Sequence, residues 1–179
     1  QALAEVLTAP IRGVVTLRLD TGGRDPEAMP AEVGQVPLPP YFHGEHAEAE
    51  RYQTFFAEEV GSAAAPTAAL HFTPSLIERL RLEGVSIARL DLQIRLYTFR
   101  PIATANIRDH QMHRERFEVP SDAASHVETA RERGGREIAV GTTVVRTLES
   151  AGVGGGLVAA GGGSSDLFIA PGYRPQVVD

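Results

Sequence analysis

The chain holds 179 residues, 42% of them hydrophobic and 22% charged, and its 17 basic against 23 acidic side chains give a formal net charge of −6. That balance supports a sizeable core, excludes wholesale disorder, and argues against bulk electrostatic adhesion to nucleic acid. No run of about 18 apolar residues offers a membrane span, nothing at the start reads as a secretory leader, and the lack of cysteine excludes disulfides, thiolate metal sites and a cysteine nucleophile. The expected setting is a reducing cytoplasm.

In chain order, residues 2 to 20 read as two strands about a turn at Pro10, with Val14, Val15, Leu17 and Leu19 apolar in the second. Thr21-Gly22-Gly23 ends them. A lone hairpin is marginal and is expected to lean on something else. Three prolines between Val36 and Tyr41 forbid a helix and place a domain boundary there, giving units 1–35 and 36–179. Tyr52, Phe55, Phe56 and Val60 recur at helical spacing and predict a helix over 45–60. Thr73-Pro74 is an N-cap followed by a first-turn proline, Leu76, Ile77 and Leu80 form the stripe to be buried, and Gly84 falls at C′.

From Val85 to Tyr97 the period is two, with Leu90, Leu92, Ile94 and Leu96 on one face of a strand and Asp91, Gln93, Arg95 and Tyr97 on the other. A further helix opens at Ser121, turns Val127 and Ala130 inward and ends at Gly134-Gly135. Glu137–Val140 reads as a strand buried on both faces, followed through Gly141-Thr142-Thr143 by a helix carrying Val144, Val145 and Leu148. Leu167–Ile169 is a last strand, and the glycine runs at 154–156 and 161–163 read as a flexible surface loop. Alternating helices and short apolar strands make the fold class α/β, with a mixed, partly parallel sheet and flanking helices.

Three groups of residues could carry chemistry. The turn at Gly141-Thr142-Thr143 presents backbone N–H groups and two hydroxyls at a helix N-terminus, with Arg146 in the first turn to add charge. It is either an anion or polar-ligand site or a threonine cap on an ordinary loop. His110 and His113 stand in His-x-x-His spacing without a third ligand at a recognisable interval, so no metal is expected. Every basic residue is an arginine, and Arg89, Arg95, Arg100, Arg108, Arg114 and Arg116 could serve as an RNA footprint, though Asp91, Asp109 and Glu115 dilute it and it does not persuade by itself. His71, taken alone, reads as a half-buried structural histidine.

Together, several stretches resemble one family. They are Val36–Tyr41, Glu50–Thr54, Ala64–Ala68, Leu70-His71-Phe72-Thr73, Thr98-Phe99-Arg100-Pro101, Met112-His113, Ala139 through Ser150, and Pro171-Gly172-Tyr173. Their order matches the S-adenosylmethionine:tRNA ribosyltransferase-isomerase family of queuosine biosynthesis over roughly residues 33 to 179. The resemblance implies an α/β catalytic domain at 36–179, apparently cut at its C-terminus, beside the remnant of a small β-barrel at 1–35. It also implies transfer and isomerisation of the ribosyl part of S-adenosylmethionine onto 7-aminomethyl-7-deazaguanine in a tRNA anticodon loop, giving epoxyqueuosine, by a cytoplasmic monomer.

S-adenosylmethionine is then a co-substrate. His71 is implied as a general acid or base and Arg100 as a phosphate or carboxylate clamp. Thr142, Thr143 and Arg146 are implied as ligand-binding, and Tyr52, Gln53, Pro66, Thr67, His113 and Tyr173 as cleft-lining. The chain departs from the family pattern at Ala69 and at Gln93, Arg95 and Tyr97, where the family has glycine and then His, Gly, Gly. The last three differ by two and fall on one strand face, which is expected to alter activity. The alternative is a diverged, non-catalytic relative that binds RNA or a nucleoside.

Overall fold

The computed structural model describes residues 3–11, 14–26, 49–58, 64–93 and 114–179, with isolated residues between these stretches. It divides into two compact units, 1–36 and 37–179. In the first, β1 (Leu3–Val6) pairs antiparallel with β2 (Leu17–Asp20), with Leu3 opposite Asp20 and Val6 opposite Leu17. The hairpin expected from the sequence is therefore present. Its apolar side chains, among them Leu3, Leu17 and Leu19, remain exposed.

In the second unit the helix expected over 45–60 is not formed by the described residues. Ala49–Tyr52 makes a short 3₁₀ turn, and the Thr54 hydroxyl accepts the Phe56 N–H at 3.2 Å while the Thr54 carbonyl accepts from Ala57 at 3.1 Å. A side chain that offers its own acceptor in this way competes with helix propagation. A second 3₁₀ segment, Thr67–His71, leads into α1 (Pro74–Leu82). Here the sequence signals hold: Thr73 Oγ1 accepts from the Leu76 N–H at 3.2 Å and proline opens the helix. The far end closes as a Schellman motif, with Gly84 N–H to Arg81 C=O at 3.0 Å and Val85 N–H to Leu80 C=O at 3.0 Å. Ile77 is buried as expected, but Leu76 is 36% exposed and lies outside the stripe.

Of the long strand expected over 85–97, the ladder takes only β3 (Asp91–Gln93); residues 85–90 precede it unpaired, and Ile94 onward lies outside the described residues. β3 pairs with β4 (Glu115–Val119), and β4 pairs on its other side with β7 (Gly161–Ser165). Every strand pairing among the described residues is antiparallel, so the parallel component expected from the sequence is not among them. The glycine run at 161–163, expected as a surface loop, is the edge of this sheet. Phe117 faces Gly163, and a Cβ there would lie 2.4 Å from the ring. Only a hydrogen leaves room for the aromatic side chain. The other glycine run makes a small hairpin, β5 (Gly152–Gly154) with β6 (Leu157–Val158).

Two helices join this sheet and the small hairpin in one core. α2 (Ser121–Glu132) ends in a second Schellman motif, with Gly134 N–H to Arg131 C=O at 3.0 Å and Gly135 N–H to Ala130 C=O at 2.8 Å. α3 (Thr142–Ala151) follows a Gly141 N-cap at φ 111°. The core is Val119 from β4, Ala123 and Val127 from α2, Leu148 from α3, Val158 from β6, and Val177. Two further strand expectations are corrected. Glu137–Val140 makes no ladder because Asp179 takes both backbone groups of Glu137, its N–H at 2.8 Å and its carbonyl at 3.0 Å, and Ile138 is 71% exposed. Leu167–Ile169 makes none either: Leu167 N–H donates to Ser165 Oγ at 3.1 Å and its carbonyl accepts from Arg146 Nε at 3.0 Å.

Candidate functional site

The register of β4 and β7 sets two faces. Glu115 lies opposite Ser165, and both are buried. One step further out, beyond the ladder, Arg114 and Asp166 take the opposite face, with Arg114 Nε 3.4 Å from Asp166 Oδ2.

On the buried face stands Arg146, from the second turn of α3 rather than its first. It donates to Glu115 Oε2 at 2.6 Å, to the Leu167 carbonyl at 3.0 Å and to the Ser165 carbonyl at 3.4 Å. The paired side chains are only 13% and 8% exposed. Its guanidinium therefore ties α3 to β4 and to the segment after β7. Ser150 and Ser165 hydroxyls add a contact at 2.6 Å between the same elements. Thr143, Arg146 and Thr147 line a small cavity with Leu92, Glu115, Phe117 and Ser165. Thr142 sits exposed at the helix start. The cap is Gly141, without a side-chain hydrogen bond, so the threonine-cap alternative does not describe this turn. The first N–H groups of α3 have no carbonyl within the helix to bond.

The other expected residues distribute as follows. Tyr52 is half-buried and Gln53 exposed beside the first 3₁₀ turn. Pro66 caps the second, Thr67 opens it, and His71 closes it on the surface; Ala69 is buried. Phe56 packs between Phe55 and Phe72, at centroid distances of 5.5 and 6.4 Å, and the Arg89 guanidinium lies 5.5 Å from the Phe56 centroid while pairing with Glu58. Among the described residues, no hydrogen bond or ion pair joins His71 to the α3 turn. Arg95, Tyr97, Arg100 and His113 lie outside the described residues; Gln93 is described through its backbone, opposite Arg116.

Tyr173 belongs to a centre that the sequence reading missed. Its hydroxyl donates to Glu149 Oε2 at 2.8 Å, which also accepts the Gln176 N–H at 2.8 Å. Glu149 Oε1 accepts the N–H groups of Val177 and Val178, each at 3.0 Å. Burial pushes the Glu149 pKa up, but the three backbone donors and the tyrosine outweigh it and hold the carboxyl below its ordinary value. Tyr173 shifts upward, first through burial and then through its bond to the carboxylate. Nearby, Arg131 bonds the Val177 carbonyl and stands 3.4 Å from Asp179. Glu137 is raised, chiefly by burial, against the attraction of Arg131 and with the repulsion of Asp179. A helical wheel had the signal for Glu149, since it follows Val145 by four and so lies on the inward face of α3. Nothing local pairs Glu115 with Arg146, 31 residues away.

Comparison with known proteins adds the family. The model described as "Queuosine biosynthesis protein" matches residues 2–179. An S-adenosylmethionine:tRNA ribosyltransferase-isomerase of Natranaerobius thermophilus is 51% identical over 148 residues, 83% of this chain and 43% of the relative. That of Heliobacterium modesticaldum is 48% identical over 179 residues, covering 98% of this chain and 52% of the relative. A solved S-adenosylmethionine tRNA ribosyltransferase of Thermotoga maritima aligns with 63% of this chain and 33% of its own, at 35% identity and a TM-score of 0.46. The chain thus spans about half the length of the curated relatives it matches. On the match from residue 2 to residue 179, it belongs to the queuosine biosynthesis protein family.

Proposed function

We propose that the protein carrying this chain transfers and isomerises the ribosyl group of S-adenosylmethionine onto 7-aminomethyl-7-deazaguanine in a tRNA anticodon loop. The observation that carries this reading is the 48% identity over 98% of the chain to a relative of that name. In the reaction a proton leaves the carbon beside the sulfonium, and adenine and methionine depart. A base, a group to assist adenine and donors for oxygen are needed.

The α3 start offers donors: the Thr142 and Thr143 hydroxyls and N–H groups at the positive end of a helix dipole suit a carboxylate or phosphate. Arg146 serves as a positioning residue, since its guanidinium is engaged by Glu115 and two carbonyls, and it fixes Thr143 against β4. His71, on the surface at the end of its 3₁₀ turn, is the candidate acid or base. Arg100 is the candidate clamp, and Tyr52, Gln53, Pro66, Thr67, His113 and Tyr173 belong to the surrounding cleft. Gln93, Arg95 and Tyr97 tune the fit of the substrate along one strand face. The hairpin unit is read as part of a β-barrel, the larger unit as part of a mixed α/β layer, and the whole as a cytoplasmic monomer. Incubating full-length protein with S-adenosylmethionine and precursor-bearing tRNA tests the reading: adenine release dependent on both supports it, and none under either condition rejects it.

A further inference from the structure

Beside the end of the β4–β7 ladder lies a cleft of about 390 Å³ lined by His110, Met112, Arg114, Asp166 and Phe168. Arg114 and Asp166 stand just outside the paired strands, and His110, Met112 and Phe168 complete the wall. The volume falls within the range that small-molecule sites occupy.

Its chemistry is divided. The His110 and Phe168 rings meet at 5.3 Å and 54°, a corner of two half-buried aromatic faces rather than a closed stack. Met112 adds a polarisable wall. At the other end stands the exposed Asp166 carboxylate, with Arg114 Nε at 3.4 Å. An ionised carboxylate has about four acceptor sites, so one long contact leaves most of its capacity for a ligand.

We infer that this cleft holds a guanine-type base, flat against the Phe168–His110 corner with its N1–H and exocyclic amine donating to Asp166. Two adjacent donors match two carboxylate oxygens. An adenine edge offers one donor beside an acceptor nitrogen, which a carboxylate repels. The inference deepens the function proposed above by giving the acceptor base, rather than the adenine of the donor, a place in the chain.

The test titrates full-length protein with guanosine and, separately, adenosine by calorimetry, which needs no turnover; adenine release is measured alongside. Guanosine is expected to bind more tightly than adenosine. In Asp166→Asn the carboxamide donates where it formerly accepted, so the guanosine-to-adenosine affinity ratio should fall at least about tenfold. In Phe168→Leu both nucleosides should weaken about fivefold or more, with the ratio kept. A fall in the ratio without any adenine release would uphold the cleft while rejecting the proposed reaction. An unchanged ratio in Asp166→Asn, a preference for adenosine in the parent, or no binding of either nucleoside at millimolar concentration would overturn the inference.

Discussion

Replacing Glu149 by glutamine changes one atom of a carboxylate that accepts four hydrogen bonds, three of them from backbone N–H groups. The new amide nitrogen cannot accept, so one pair of donors loses its partner. Turning it toward Tyr173 and Gln176 is the cheaper choice, because the tyrosine hydroxyl can rotate to accept and Gln176 is exposed to water. What remains is loss of charge from the bonds to Val177 and Val178 and one weakened donor. At about 1–3 kcal/mol for each buried group left unsatisfied, and about half the strength gone from each charge-assisted bond, the expected loss is roughly 2–4 kcal/mol. For a protein of this size that is a fall in Tm of roughly 5–15 °C.

The pH dependence has a fixed sign. Glu149 has a folded-state pKa below the ordinary 4.5, so its contribution is complete above 4.5 and disappears as pH falls through the folded value. Glu137 shifts upward and acts in the opposite sense. Taking the difference between parent and Glu149→Gln cancels it. Urea unfolding of both proteins from pH 3 to 7, with amide exchange at residues 176–178, measures the effect. A difference under about 0.5 kcal/mol at pH 7, with unchanged exchange at those amides, would refute the reasoning.

Breaking the Arg146–Glu115 pair should cost about 3–5 kcal/mol in Arg146→Met, and adding Glu115→Leu should recover much of it, since a buried carboxylate that has lost its guanidinium costs more than an apolar side chain in its place; a double variant no better than the single one in denaturant unfolding would contradict this. Gly163→Ala should destabilise by about 1–3 kcal/mol through the clash with Phe117, and Phe117→Leu should relieve it. Equal stabilities across that pair of variants would count against the packing argument. On the proposed function, a net charge of −6 would leave tRNA binding to a local arginine cluster, so the slope of log affinity against log salt should report only a few phosphates; a slope implying about eight or more contacts would contradict it.

Local signals were legible because they act over a few residues. The Thr73-Pro74 start, the glycines after α1 and α2, and the turn into α3 all lie where the sequence places them. Apart from the helix expected over 45–60, where the local Thr54 acceptor intervenes, the errors arose where a distant partner decides the outcome. Glu137–Val140 has the composition of a strand, but Asp179 occupies the groups a ladder would use. Gly161–Gly163 has the composition of a loop, but β4 supplies the backbone partners and Phe117 the side chain that the glycines lack. The same holds at the site: Thr143 could be placed on a helix turn from spacing alone, whereas the engagement of Arg146 by Glu115 and two carbonyls could not.

Glu149 grips the segment after Tyr173 by main-chain N–H groups, which nearly every amino acid possesses. Such a grip constrains where the chain runs without constraining what it spells. Gln176, exposed, can therefore drift in identity while its path is kept, whereas Val177, buried in the core, and Val178, half-buried against it, are held to apolar side chains. Proline is the exception: lacking the N–H, it would remove a donor at any of the three positions. Mutational tolerance at Gln176 should accordingly be broad in side-chain chemistry and narrow in backbone type.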